Sequence, residues 1–193
     1  MQDLDTLESV CDTLDSVLTR LASAYRALPE SKLLGRLPDG RTRAVAGHEL
    51  ATLIAIAAQG VEDRSRPSAP SWRLLPYEGP FVVGDQLGVT GHDLLAACSR
   101  LGVRATGDGR GHTAADRDDV DGGGGDDAAD AAAEGSAGFV GLGSAHAAYA
   151  YGSVPASTAV WAPPGVRCDR TGVGTVLSRV LAAAEELAGV LYR

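Results

Sequence analysis

The sequence predicts an all-α fold: an antiparallel four-helix bundle with a long acidic Gly/Asp/Ala-rich insertion between its third and fourth helices. Three observations carry this reading. Leu4, Leu7, Cys11, Leu14, Leu18, Leu21, Tyr25 and Leu28 alternate in steps of three and four, which places an unbroken apolar seam along one side of a helix. Three later segments carry similar stripes, so the chain supplies its own partners for that seam. The acidity is gathered into one stretch with almost no large apolar side chain, which has nothing to place in a core.

The first helix is predicted over 3–28 and stops at Pro29. Residues 29–42 hold Pro29, Gly35, Pro38 and Gly40 and read as a loop. The second helix is predicted over 43–63, on Val45, Leu50, Leu53, Ile54, Ile56, Ala57 and Val61. Pro67, Pro70, Pro76 and Pro80 exclude regular structure over 64–80. The third helix is predicted over 81–101: Val83, Leu87, Thr90, Leu94, Cys98 and Leu101 step by three or four, and Gly102 is placed to end it. A competing reading starts a new helix at 91, because Thr90 and Asp93 form a capping signal and Gly84, Gly88 and Gly91 favour a break.

Helices one to three thus occupy 1–103. Residues 104–137 cannot offset their ordering entropy and are expected to be a disordered acidic linker. Residues 138–170 form a Gly-rich, aromatic-containing connection. Residues 171–193 complete the bundle with a fourth helix, on Val173, Leu177, Val180, Ala184, Leu187 and Leu191. The first two connections suit hairpins between neighbours, and the third allows a crossover or a flap.

A length of 193 residues fits one domain. With 45% hydrophobic but only 5% aromatic residues, the core is expected to be Leu, Val and Ala. The net charge is −8, and residues 108–134 hold nine acids against Arg110 and Arg117, which leaves the remainder nearly neutral. No basic face is present, which argues against nucleic acid. No apolar run approaches about 20 residues, so no membrane span is expected. The N-terminus is acidic and amphipathic, unlike a signal peptide. Cys11, Cys98 and Cys168 are odd in number, widely spaced and without a CxxC pattern. They read as reduced thiols in a cytoplasmic protein.

One local repeat stands out. AVAGHELA (44–51) and GVTGHDLL (88–95) share V-x-G-H-acid-L. His48, Glu49, His92 and Asp93 could bind a metal or act as acid and base. Helix-start chemistry or coincidence in a Gly- and Ala-rich chain is the favoured reading. At about 100° per residue, both histidines point away from their apolar stripes and Asp93 sits at a boundary. Glu49 falls inside the stripe, where a carboxylate needs a partner. Arg20, Arg26, Arg43 or Arg179 is expected to supply it, as a structural ion pair. E-x-x-H and H-E-x-x-H patterns are missing, and DRDDVDG (116–122) fails the calcium-loop register because Arg117 takes the first ligand position and Ala128 the twelfth. GLGSAH (141–146) lacks the strand and helix of a phosphate loop. Trp72, Tyr77, Phe139, Tyr149, Tyr151 and Trp161 lie in the connections and are expected to cap the bundle ends. The alternative is a lid over a small-molecule pocket, with His146 beside Tyr149.

The expected function is therefore non-enzymatic: a scaffold, adaptor or regulatory protein that self-associates, a homodimer being one option, or docks a protein partner. No cofactor is expected. The rival is a small-molecule-binding protein or metal-dependent enzyme with its site at a bundle end. Its candidate catalytic residues are Glu49, Asp93 and His146, and its candidate metal ligands are His48, Glu49, His92 and Asp93.

Overall fold

The computed structural model describes residues 3–107, 154–165 and 169–192, without the side chains of 3–6 and 102–107. The linker over 108–137, residues 138–153 of the connection with His146, and Cys168 lie outside the described residues. The fold is mostly helical. The first helix, α1 (Asp3–Ala27), buries its seam as expected: Leu7, Cys11, Leu14, Leu18, Leu21 and Tyr25 are each at most 4% exposed. Burying each large apolar side chain stabilises the fold by roughly 1.5–3 kcal/mol.

The following segment is not the plain loop that was expected. It holds a one-turn helix, α2 (Glu30–Leu33), pinned by Leu33, which is buried. Gly40, at φ +87°, then permits a tight turn that returns the Leu37 N–H to the Arg41 carbonyl at 2.8 Å. Thr42 starts α3 (Arg43–Glu62): its hydroxyl oxygen accepts the Val45 N–H at 3.2 Å.

A 3₁₀ turn, Pro80–Val82, leads into α4 (Val83–Gly107). This helix neither breaks at Thr90 nor stops at Gly102. Thr90 does not cap; its hydroxyl donates to the Gln86 carbonyl one turn back, at 2.7 Å. The glycines serve packing instead. A Cβ at Gly84 would lie 2.9 Å from the Ala22 carbonyl oxygen, and one at Gly91 would lie 2.9 Å from Leu18 Cδ1.

The last helix is α5 (Val173–Leu191). Helices α1 and α3 each pack on both α4 and α5. Residue pairs give the directions. Arg26 pairs with Asp85 at 2.7 Å, so the end of α1 meets the start of α4 and the two run antiparallel. His48 meets Gln86 near one end of α3 and Glu62 meets Arg100 near the other, so α3 and α4 run parallel. Tyr192 reaches the Arg20 carbonyl while Leu7 and Val10 lie near Gly174 and Thr175, so α1 and α5 also run parallel.

The expected hairpin between the second and third helices is thus replaced by a strap, residues 63–79, that returns along α3. Both anchors are side-chain amides. Gln59 grips residue 73 twice, accepting its N–H and donating to its carbonyl, each at 2.9 Å. Gln86 donates to the Pro76 carbonyl at 2.8 Å. From Trp72, beside Gly60, to Tyr77, beside His48, the strap advances five residues. At about 3.3 Å each that is roughly the rise of the twelve helical residues it passes. The prolines keep residues 64–79 free of helix and strand, as expected.

A two-stranded antiparallel sheet precedes α5, which the all-α reading did not anticipate. Strands β1 (Ala159–Trp161) and β2 (Arg170–Gly172) pair Val160 with Thr171. The pair docks on the C-terminal end of α3. Trp161 Nε1 donates to the Asp63 carbonyl at 3.0 Å, and Arg170 donates to the carbonyls of Arg64 and Arg66 while its guanidinium stacks 3.9 Å above the Trp161 ring. A cation and three donors thereby meet the negative end of a helix. Of the described connection aromatics, Trp161 covers the end of α3, whereas Trp72 and Tyr77 lie along its side and do not cap the bundle ends as expected. Among the described residues, α3 alone is long and apolar enough to cross a bilayer, with mean hydropathy 1.3, but 61% of that stretch is buried inside the fold.

Candidate functional site

The turn at Gly40 and the capped start of α3 place Asp39, Arg41 and Glu49 beside α5. Together they edge an open groove of about 370 Å³ between the two helices. Its floor is apolar: Leu37, Ala46, Leu50, Leu53, Leu187 and Val190. Its rim is charged, and the fourth member is Glu186. Arg41 bonds Asp39 through Nε at 2.8 Å and also bonds Glu49. Among the described residues Glu186 has no ion-pair partner. Three carboxylates against one guanidinium leave the groove acidic.

The Asp39 carboxyl is held below the ordinary aspartate range, first by the side-chain hydrogen bond from Arg41 and then by the Arg41 backbone N–H. Arg41 is pushed in the opposite direction by Asp39 and Glu49. All three side chains are nearly half exposed, so each pair contributes little to stability.

Among the described residues, the sequence-predicted site residues are not gathered into one cluster. Glu49 is exposed rather than core-facing, and its partner is Arg41, not Arg20, Arg26, Arg43 or Arg179. The reason lies in α3, which buries side chains against α4, α5 and the strap. No single stripe centre describes such a helix. His48 points to the strap side. Its Nδ1 lies 3.0 Å from Gln86 Oε1, and the edge of Tyr77 packs against its ring at 5.1 Å between centroids. Because Gln86 spends its amide N–H on Pro76, its oxygen accepts, and Nδ1 of His48 carries the proton. His92 and Asp93 are exposed on α4. Among the described residues, no group of three or more His, Cys, Asp or Glu side chains is placed to hold a metal ion. His146 lies outside the described residues.

Asp39, Arg41 and Glu186 were missed from sequence. The PDG turn at 38–40 followed by the Thr42 cap was the available signal for the first two. Glu186 carried none, because its importance comes only from the meeting of α3 and α5. Comparison with known proteins finds no matching family model, curated protein or solved structure.

Proposed function

We propose that this chain is a non-enzymatic four-helix bundle of α1, α3, α4 and α5 that acts by docking a protein partner. In this reading α1 and α5 run one way, α3 and α4 the other. The partner contributes an amphipathic segment with an apolar face and basic residues, seated in the α3–α5 groove. The observation that carries the proposal is the groove itself: an apolar floor bordered by Asp39, Glu49 and Glu186 with Arg41 already engaged. An apolar contact supplies the area term, and basic residues on the segment match the rim. A small-molecule or metal-dependent site is supported less, because His48 and Glu49 engage different neighbours.

The test is fluorescence anisotropy with three labelled peptides: Leu/Lys amphipathic, Leu/Glu amphipathic and Lys/Ser without an apolar face. Only the Leu/Lys peptide is expected to bind, and Glu186→Lys is expected to weaken it at least tenfold, about 1.4 kcal/mol. Equal binding of the Lys/Ser peptide, or no response to Glu186→Lys, rejects the groove as the site. A concentration-dependent dimer disrupted by Glu186→Lys assigns the groove to a second copy of the chain instead.

A further inference from the structure

Cys11 on α1 and Cys98 on α4 face each other inside the core, 0% and 2% exposed. The antiparallel register dictates this. Leu18 sits opposite Gly91, and Arg26 opposite Asp85. Seven residues back along α1 from Leu18 is Cys11, and seven forward along α4 from Gly91 is Cys98. Seven residues make about two turns and return to nearly the same face, so one contact implies the other. The thiol of Cys98 lies close enough to that of Cys11 to be perturbed by it. Gly84, Gly88 and Gly91 bring the two helices together closely along this seam, which favours the short span a disulfide needs.

We propose that Cys11 and Cys98 are a redox pair that a peroxide converts to a disulfide, stapling α1 to α4. The step balances. One sulfur, as thiolate, attacks a peroxide oxygen; the O–O bond breaks, water leaves and a sulfenic acid remains. The second sulfur attacks the sulfenic sulfur; the S–S bond forms and a second water leaves with the second thiol's proton. Two electrons pass from the pair to the peroxide. The neighbouring Cys11 thiol and burial raise the Cys98 thiol well above its ordinary value. The closed fold therefore keeps Cys98 protonated and slow to react. Reaction proceeds through local opening at the N-terminal end of α1, where Cys11 lies about two turns from the helix start.

The test uses the full chain carrying Cys168→Ser, treated with hydrogen peroxide, blocked with iodoacetamide and digested with trypsin without reduction. The expected product is a peptide spanning 1–20 linked to one spanning 74–100. The intact mass falls by two hydrogens, and the melting temperature rises by about 5–15 °C, as closure of a long loop implies. Dithiothreitol reverses all three. Cys98→Ala, or Cys11→Val should the first fail to fold, abolishes the linked peptide. Sulfinic or sulfonic acid at either cysteine without a link overturns the proposal. So does disulfide-linked dimer, or two thiols that remain unoxidised after prolonged exposure.

Discussion

Helix α1 meets α4 over Gly84, Gly88 and Gly91, whereas α3 meets α5 over Leu50, Leu53, Leu187 and Val190. The first contact brings backbones together and closes on buried Leu14, Leu18 and Leu21. The second leaves an open groove with charges along its edge. All four helices bury apolar side chains along their length, so hydrophobicity does not separate the two interfaces. What separates them is side-chain size at the crossing. Small residues admit the opposing backbone and leave no room for a ligand. Larger ones hold the helices apart and leave a floor that a further segment can cover.

Substitutions can break that contrast. The largest effect is expected in the closed seam: Leu21→Ala, at a fully buried position, loses about 2–5 kcal/mol of unfolding free energy in urea. Leu53→Ala, in the half-buried groove wall, loses less than half as much. Equal losses would mean that the groove is closed in solution.

Glycine substitutions should then differ in sign. Gly84→Ala places a methyl against the backbone of Ala22 and Arg26, and is expected to lose about 1–3 kcal/mol despite alanine's better helix propensity. Gly189→Ala on α5 meets nothing within 4 Å, and should gain about 0.5–1 kcal/mol. Thermal and urea melts of the two variants read this directly.

Smaller effects concern hydrogen bonds at the two ends of the comparison. Tyr25, from α1, donates to the Arg43 carbonyl at 2.8 Å, so Tyr25→Phe should lose about 1 kcal/mol. Burial raises the Tyr25 phenol above its ordinary value, with Arg43 opposing. Its folded-state pKa is raised, so its contribution is complete below about pH 10 and is lost as pH rises further. Absorbance titration should show Tyr25 ionising only as the fold opens. At the groove the sign reverses. Arg41 holds Asp39 below the ordinary range, so that link is present above about pH 4 and is lost as pH falls through the lowered value. Arg41→Ala should return the Asp39 titration, followed by carboxyl NMR, towards about 3.9.

The helices were legible in sequence because apolar residues run on at helical spacing between turn-forming segments: α1, α3 and α5 begin and end within a residue or two of their expected limits. The parallel run of α3 and α4 was not legible. It depends on Gln59 and Gln86, two polar side chains whose partners, residues 73 and 76, are backbone groups far along the chain. The β1–β2 pair was obscured by the glycines around it, and is held by Trp161 and Arg170 against the end of α3. Gly84, Gly88 and Gly91 were read as breakers because glycine does weaken an isolated helix; here α1 packs on them. Glu49 does pair with an arginine, but with Arg41 on the exposed rim, where a carboxylate has no need of a partner. Its direction was misjudged, because a helix buried on several sides has no single polar face.

In the proposed function the α3–α5 groove, rather than the exposed strap side, receives the partner segment. The strap side is the natural competitor, since Leu74, Tyr77, Phe81 and Val89 are 46–70% exposed there. Amide NMR of the isotope-labelled chain titrated with the Leu/Lys peptide decides between them. Docking in the groove predicts shifts concentrated on Leu37, Ala46, Leu50, Leu53, Leu187 and Val190. Shifts centred on Leu74, Tyr77 and Val89, with the groove residues unmoved, would contradict it.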